Sequence, residues 1–247
     1  MLGCAAAISD SGLAAAQVCA SIGAVARITP MSTARSDYSP GEEIASSITH
    51  GIGAVAGIVA LLFLVVPSAQ MGDPWRIVAF SIYGASLVGL YLASTLYHAI
   101  PIARARHWLK RVDHAAIYVF IAGTYTPITL VLLGDWVGWT LFGVVWGITI
   151  GGIVLKFLFI DRFKKLFVAG YVVMGWVAIA AFPKLWGALS FEGIAWLVGG
   201  GLAYTIGVVF YQWTGLRYSH AIWHLFVIAG SVCHFFLLYF HVLPAAA

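Results

Sequence analysis

Two histidines, His220 and His224, lie four residues apart inside a long apolar run near the C-terminus, Ser219-His220-Ala221-Ile222-Trp223-His224-Leu225-Phe226. On a helix such a pair shares one face, about 40° apart around the axis and roughly 6 Å apart along it. That is how a single helix offers two imidazoles to one metal ion. The alternative is a pair of neutral rings hydrogen-bonded between helices. Placing imidazole in hydrocarbon is costly, so ionisable residues within a span mark function by default. Other residues of the same kind stand elsewhere in the chain: Glu43 and His50, Ser94 and His98, and Asp113 beside His114.

The elements that carry these residues follow from composition. Hydrophobic residues make up 62% of the 247, charged residues only 9%, and the mean hydropathy is +0.97. A soluble chain carries about 25% charged residues, so this is an integral membrane protein. The apolar runs are about 20 residues long without strict alternation, which suits helices rather than barrel strands. The expected fold is all-α, a bundle of seven transmembrane helices over residues 41–247. Residues 1–40, rich in Ala, Ser and Gly, read as a disordered or mis-started extension, with Met31 as an alternative start. Cys4, Cys19 and Cys233 form no metal or redox pattern. The net charge of +4 reports topology and lipid heads rather than nucleic acid.

The expected spans are 44–66 (ending at Pro67), 75–100 (stopped by Pro101), 113–133 (closed by Gly134-Asp135), 137–160, 167–186, 194–213 and 219–243. Basic residues gather between spans two and three (Arg104, Arg106, Lys110, Arg111), between four and five (Arg162, Lys164, Lys165), and at Arg217, Arg27 and Arg35. The opposite side carries only Arg76 and Lys184. The positive-inside rule then puts the N-terminus in the cytoplasm and the C-terminus outside.

This topology sorts the polar residues. Span two ends at the cytoplasmic face with Ser94 and His98; spans one, three and seven begin there with Glu43 and His50, Asp113 and His114, and His220 and His224. Four distant segments thus place ionisable groups at one depth, and such groups normally face the bundle interior together. Three imidazoles with an open position describe a catalytic zinc site, whose ligands would be His98, His220 and His224. Asp113 keeps an iron site with two histidines and a carboxylate open. In the zinc reading Asp113 stays off the metal and takes a proton from the water at the open position. Ser94 orients His98 or donates to an oxyanion.

His50 reads as a polar partner of the site. Glu43 reads either as another such partner or as a carboxylate favoured at a helix start. His114 is expected at the interface, pointing about 100° away from Asp113, His107 in a solvated basic loop, His234 as a satisfied core residue and His241 at the outer boundary. Trp75, Trp136, Trp139, Trp186 and Trp213 cluster near span ends, as an aromatic belt does.

The order Glu43…Thr49-His50-Gly51, Ser94-Thr95-Leu96-Tyr97-His98, Asp113-His114 and His220-Ala221-Ile222-Trp223-His224 resembles the hemolysin III proteins. These are the bacterial branch of the progestin and adipoQ receptor family, in a superfamily with alkaline ceramidases. The similarity covers about Glu42 to Pro244 and includes Ser81 to Ser86 and Ala122 to Pro127. It implies seven helices, zinc in the cytoplasmic leaflet on His98, His220 and His224, Asp113 beside the zinc water and Ser94 nearby. Ser46 departs from the pattern, which usually has Asn there.

The function this implies is a zinc-dependent hydrolase of lipid amide or ester bonds in the bacterial inner membrane, its substrate entering from the bilayer. A non-enzymatic receptor or regulator of membrane state with structural zinc is the second expectation. A pore-forming cytolysin is the third. Membrane lipids are the expected partners, with no nucleic acid and no soluble protein.

Overall fold

The protein is described here by a computed structural model covering residues 38–159 and 162–244. Among these residues seven helices are long and apolar enough to cross a membrane. They are Pro40–Met71, Pro74–Ala99, Ala103–Leu133, Trp136–Phe159, Lys164–Ala188, Phe191–Gln212 and Ser219–Val242, referred to as spans one to seven. The all-α expectation therefore holds. The segment expected to be an extension lies outside the described residues up to position 37. Tyr38, Ser39 and Pro40 belong with span one: Ser39 caps the helix in a capping box with Glu42, and Pro40 occupies the first turn, where its missing N–H costs nothing.

Local chemistry sets the other boundaries. Gly72 ends span one in the left-handed region at φ 68°, where a side chain would be strained. Asp73 caps span two by accepting from the Trp75 and Arg76 amides. Ile100 ends span two in an extended conformation, as a residue preceding proline prefers.

Two expected boundaries change. Span one runs through Pro67 to Met71 instead of stopping, because near a helix end the ring displaces only one carbonyl partner; the Ser68 hydroxyl meanwhile donates to Leu64 O at 2.7 Å. Span three begins at Ala103 rather than Asp113, so the basic stretch is its first turns and not a loop. Arg and Lys are good helix formers, and a hydropathy window registers only their charge. His107 is exposed as expected, but on this helix, against Arg111.

Span five is interrupted. Its α-helix stops at Gly175, a 3₁₀ stretch covers Val177–Ala181, and a short helix resumes at Phe182–Ala188 with Pro183 in its first turn. Tyr125 of span three sustains the break, its hydroxyl donating to Gly175 O at 2.8 Å and accepting from the Ala178 amide at 2.9 Å. Backbone groups freed in hydrocarbon need such partners.

Spans two, six and seven are tied at one buried hydroxyl. Ser231 Oγ accepts from Tyr91 at 2.9 Å, pairs with the Tyr204 hydroxyl at 3.1 Å, and donates to Val227 O at 2.9 Å. The adjoining Gly230 lets the Tyr204 ring approach so closely that a Cβ there would lie 2.6 Å from it. Ser231→Ala strands both tyrosine hydroxyls, and a loss of about 1–2 kcal/mol is expected. Thermal unfolding in detergent measures this, and a melting temperature equal to wild type would show that the tie contributes nothing.

Candidate metal centre

Each candidate ligand arrives on an element whose start or end lies at the basic end of the bundle. His98 closes span two; His220 and His224 open span seven, following Tyr218, which sits in the left-handed region at φ 60° and turns the chain into the helix. All three are buried, at 4%, 7% and 2% exposure. One ligand atom from each lies within 4.8 Å of the others. His220 Nε2 is 3.1 Å from His98 Nε2 and also 3.1 Å from His224 Nε2. Three buried histidines are thus positioned to hold one metal ion.

The Nδ1 partners explain why the Nε2 atoms of His98 and His224 are bare. His98 Nδ1 is 2.6 Å from Glu43 Oε2, and a carboxylate can only accept, so the ring proton sits on Nδ1. His224 Nδ1 is 3.2 Å from the Ser46 carbonyl, which also only accepts. Thr49 Oγ1, at 3.4 Å, hands its own proton to the Ala45 carbonyl at 2.9 Å. Two lone pairs therefore point at His220 Nε2 from two sides. A cation at their meeting point satisfies all three nitrogens, which fits a divalent metal held by neutral imidazoles.

Glu43 reconciles its two sequence readings. It stands in the first turn of span one, and it holds His98 while its other oxygen pairs with Arg106. Arg106 also lies over the Tyr97 ring, 4.7 Å from its centroid. Glu43→Gln is expected to loosen His98, remove the charge that Arg106 pairs with and lower divalent-metal affinity about 10–100-fold, as loss of a ligand's orienting partner does. Competition with a chromophoric chelator measures it; unchanged affinity would show that the Glu43 contact orients nothing. The departure at Ser46 is harmless to His224, because the contact is made by the backbone carbonyl and not the side chain.

Asp113 and Ser94 adjoin one another and line the same cavity as His220 and His224. His50 stacks on His224, ring centroids 3.5 Å apart and nearly parallel, with neither nitrogen hydrogen-bonded among the described residues. It is thus a packing neighbour of a ligand. His114, expected at the interface, lines the cavity beside Asp113. His234 is buried, with Nε2 at 3.3 Å from Leu197 O, and His241 meets Ser190 at 3.3 Å.

The cavity, about 210 Å³, runs from these polar groups along mostly apolar walls to Ile179 and Phe182 of the broken span five. Those two are 62% and 40% exposed, so the cavity's span-five wall also forms part of the outer surface of the bundle.

Sequence reasoning misses two contributors. Tyr38 hydrogen-bonds His220 Nδ1 at 3.1 Å, and Arg106 neutralises Glu43. The signal for Tyr38 is the capping box Ser39…Glu42, which starts the helix at Pro40 and puts Tyr38 just before the turn that carries Glu43. Arg106 carries no such signal, since by sequence it is one more topology charge.

A family model described as "Haemolysin-III related" matches residues 38–235. "Hemolysin-3" of Bacillus cereus is 45% identical over 206 residues, 83% of this chain and 94% of that protein. "Hemolysin-3 homolog" of Bacillus subtilis (strain 168) is 46% identical over 200 residues, 81% of this chain and 94% of that protein. "Monocyte to macrophage differentiation factor" of Homo sapiens is 29% identical over 205 residues, 80% of this chain and 83% of that protein.

Proposed function

The chain, a multi-pass protein of the bacterial inner membrane, belongs to the haemolysin-III-related family, and on that premise we propose that it is a zinc-dependent hydrolase of lipid amide or ester bonds. The observation that carries this is the meeting of three imidazole nitrogens at the polar end of an apolar cavity whose span-five wall also forms part of the bundle's outer surface. Three neutral nitrogen donors with no thiolate suit zinc. The ion, held by His98, His220 and His224, would supply Lewis acidity, acidifying a water and polarising a carbonyl.

The chain's own residues do the rest. Asp113 accepts the proton of the attacking water and passes it to the departing amine or alcohol. Ser94 donates a hydrogen bond to the Asp113 carboxylate or to the developing oxyanion. The apolar walls hold the acyl chain and exclude bulk water, which strengthens both contacts. Substrate enters from the bilayer past Ile179 and Phe182. The basic end of the bundle faces the cytoplasm by the positive-inside rule, which puts the site in the inner leaflet.

The test is release of fatty acid from ceramide and phospholipid by purified protein in lipid nanodiscs. Turnover should stop with a chelator and return on adding zinc. Turnover indifferent to chelation overturns the mechanism.

One observation favours a second reading, a receptor or regulator with structural metal: the ligands join span two to span seven while Tyr38, Glu43 and Ser46 of the span-one segment support them. There, chelation lowers the melting temperature and metal-loaded protein turns over no lipid. Dye leakage from liposomes holding the protein would instead support membrane lysis, which the name of the Bacillus cereus relative suggests.

A further inference from the structure

The three histidines are oriented by unlike partners. Glu43 on His98 and the Ser46 carbonyl on His224 accept hydrogen bonds and cannot donate. Tyr38 on His220 is different, because a phenol does both. Its ring also lies tilted against His220, centroids 4.4 Å apart at 31°, and 5.9 Å from His98. Tyr38 directly precedes the capping residue Ser39, and Gly41 brings the start of span one close to the segment before span seven, where a Cβ would lie 2.8 Å from the Tyr218 hydroxyl.

We propose that Tyr38 is a positioning residue that turns from donor to acceptor as the metal binds, letting His220 change tautomer without gaining or losing charge. Without metal, the bare nitrogens of His98 and His224, each 3.1 Å away, call for a proton on His220 Nε2. Nδ1 is then a lone pair and accepts from the Tyr38 hydroxyl. With metal on Nε2, that proton resides on Nδ1 and donates to the Tyr38 oxygen, while the hydroxyl hydrogen rotates away. The ring is neutral in both states and the proton count is unchanged. A fixed acceptor at this position would leave three lone pairs facing one another in the empty site; a fixed donor would oppose the tautomer that ligates.

This inference rests on the metal site and not on hydrolysis. The experiment follows ¹⁵N-labelled histidine by NMR in detergent-solubilised protein, stripped and then loaded with zinc, alongside zinc affinities of wild type and Tyr38→Phe. The proton of His220 is expected on Nε2 when stripped and on Nδ1 when loaded. Tyr38→Phe keeps the ring and is expected to bind zinc about 10–100-fold more weakly. A proton on Nδ1 in both states, or Tyr38→Phe affinity within twofold of wild type, overturns the inference. Wild type that binds no zinc overturns the metal assignment with it, whereas tight binding without lipid turnover leaves this inference standing and removes only the hydrolase.

Discussion

Asp113→Asn is expected to bind metal as wild type does and to lose turnover by about 10²–10⁴-fold, the range a positioned proton carrier contributes. The substitution is nearly isosteric, so the cavity wall beside Ser94 keeps its shape. The amide cannot accept a proton at its nitrogen and carries no charge to draw one from water. Because Asp113 is not among the three metal-holding groups, metal content should stay at the wild-type value. Measuring fatty-acid release and bound metal on one preparation separates the two roles. Asp113→Asn that loses its metal would move Asp113 into the ligand set and revive the iron-type arrangement; full turnover would remove it from the chemistry.

His224→Ala has the second large effect. It deletes one nitrogen of three, and it also uncovers the stacked His50 ring. Metal affinity should fall by more than the ~10–100-fold that loss of an orienting partner costs, and turnover with it. Stability gives an independent reading. An ion present at a thousand times its dissociation constant adds about 4 kcal/mol to the folded state. Wild type should therefore melt higher with metal than without, and His224→Ala should melt at one temperature in both conditions. A metal-dependent shift that survives in His224→Ala would show that the stabilising ion binds elsewhere.

Much of this architecture is legible in the amino-acid order, because hydropathy is a property of composition. The long apolar runs mark the spans, and the side-alternation of basic residues brings His98, Asp113, His220 and His224 to one depth. The rest depends on pairings that hydropathy does not register. Glu43 meets His98 across 55 positions, and Tyr38 meets His220 across 182. The break in span five rests on one hydroxyl, Tyr125, in another helix. The first turns of span three are helical and Arg106 turns inward to a carboxylate, where charge alone suggests a loop. The orienting partner of His224 is a main-chain carbonyl, which any residue at position 46 supplies.

X-ray absorption at the zinc edge on the purified, metal-loaded protein bears most directly on the site. One ion per chain is expected, with three imidazole nitrogens at about 2.0–2.1 Å and no sulfur ligand. An ion surrounded by fewer than two imidazoles, or by sulfur, would contradict the convergence of His98, His220 and His224 and the chemistry drawn from it.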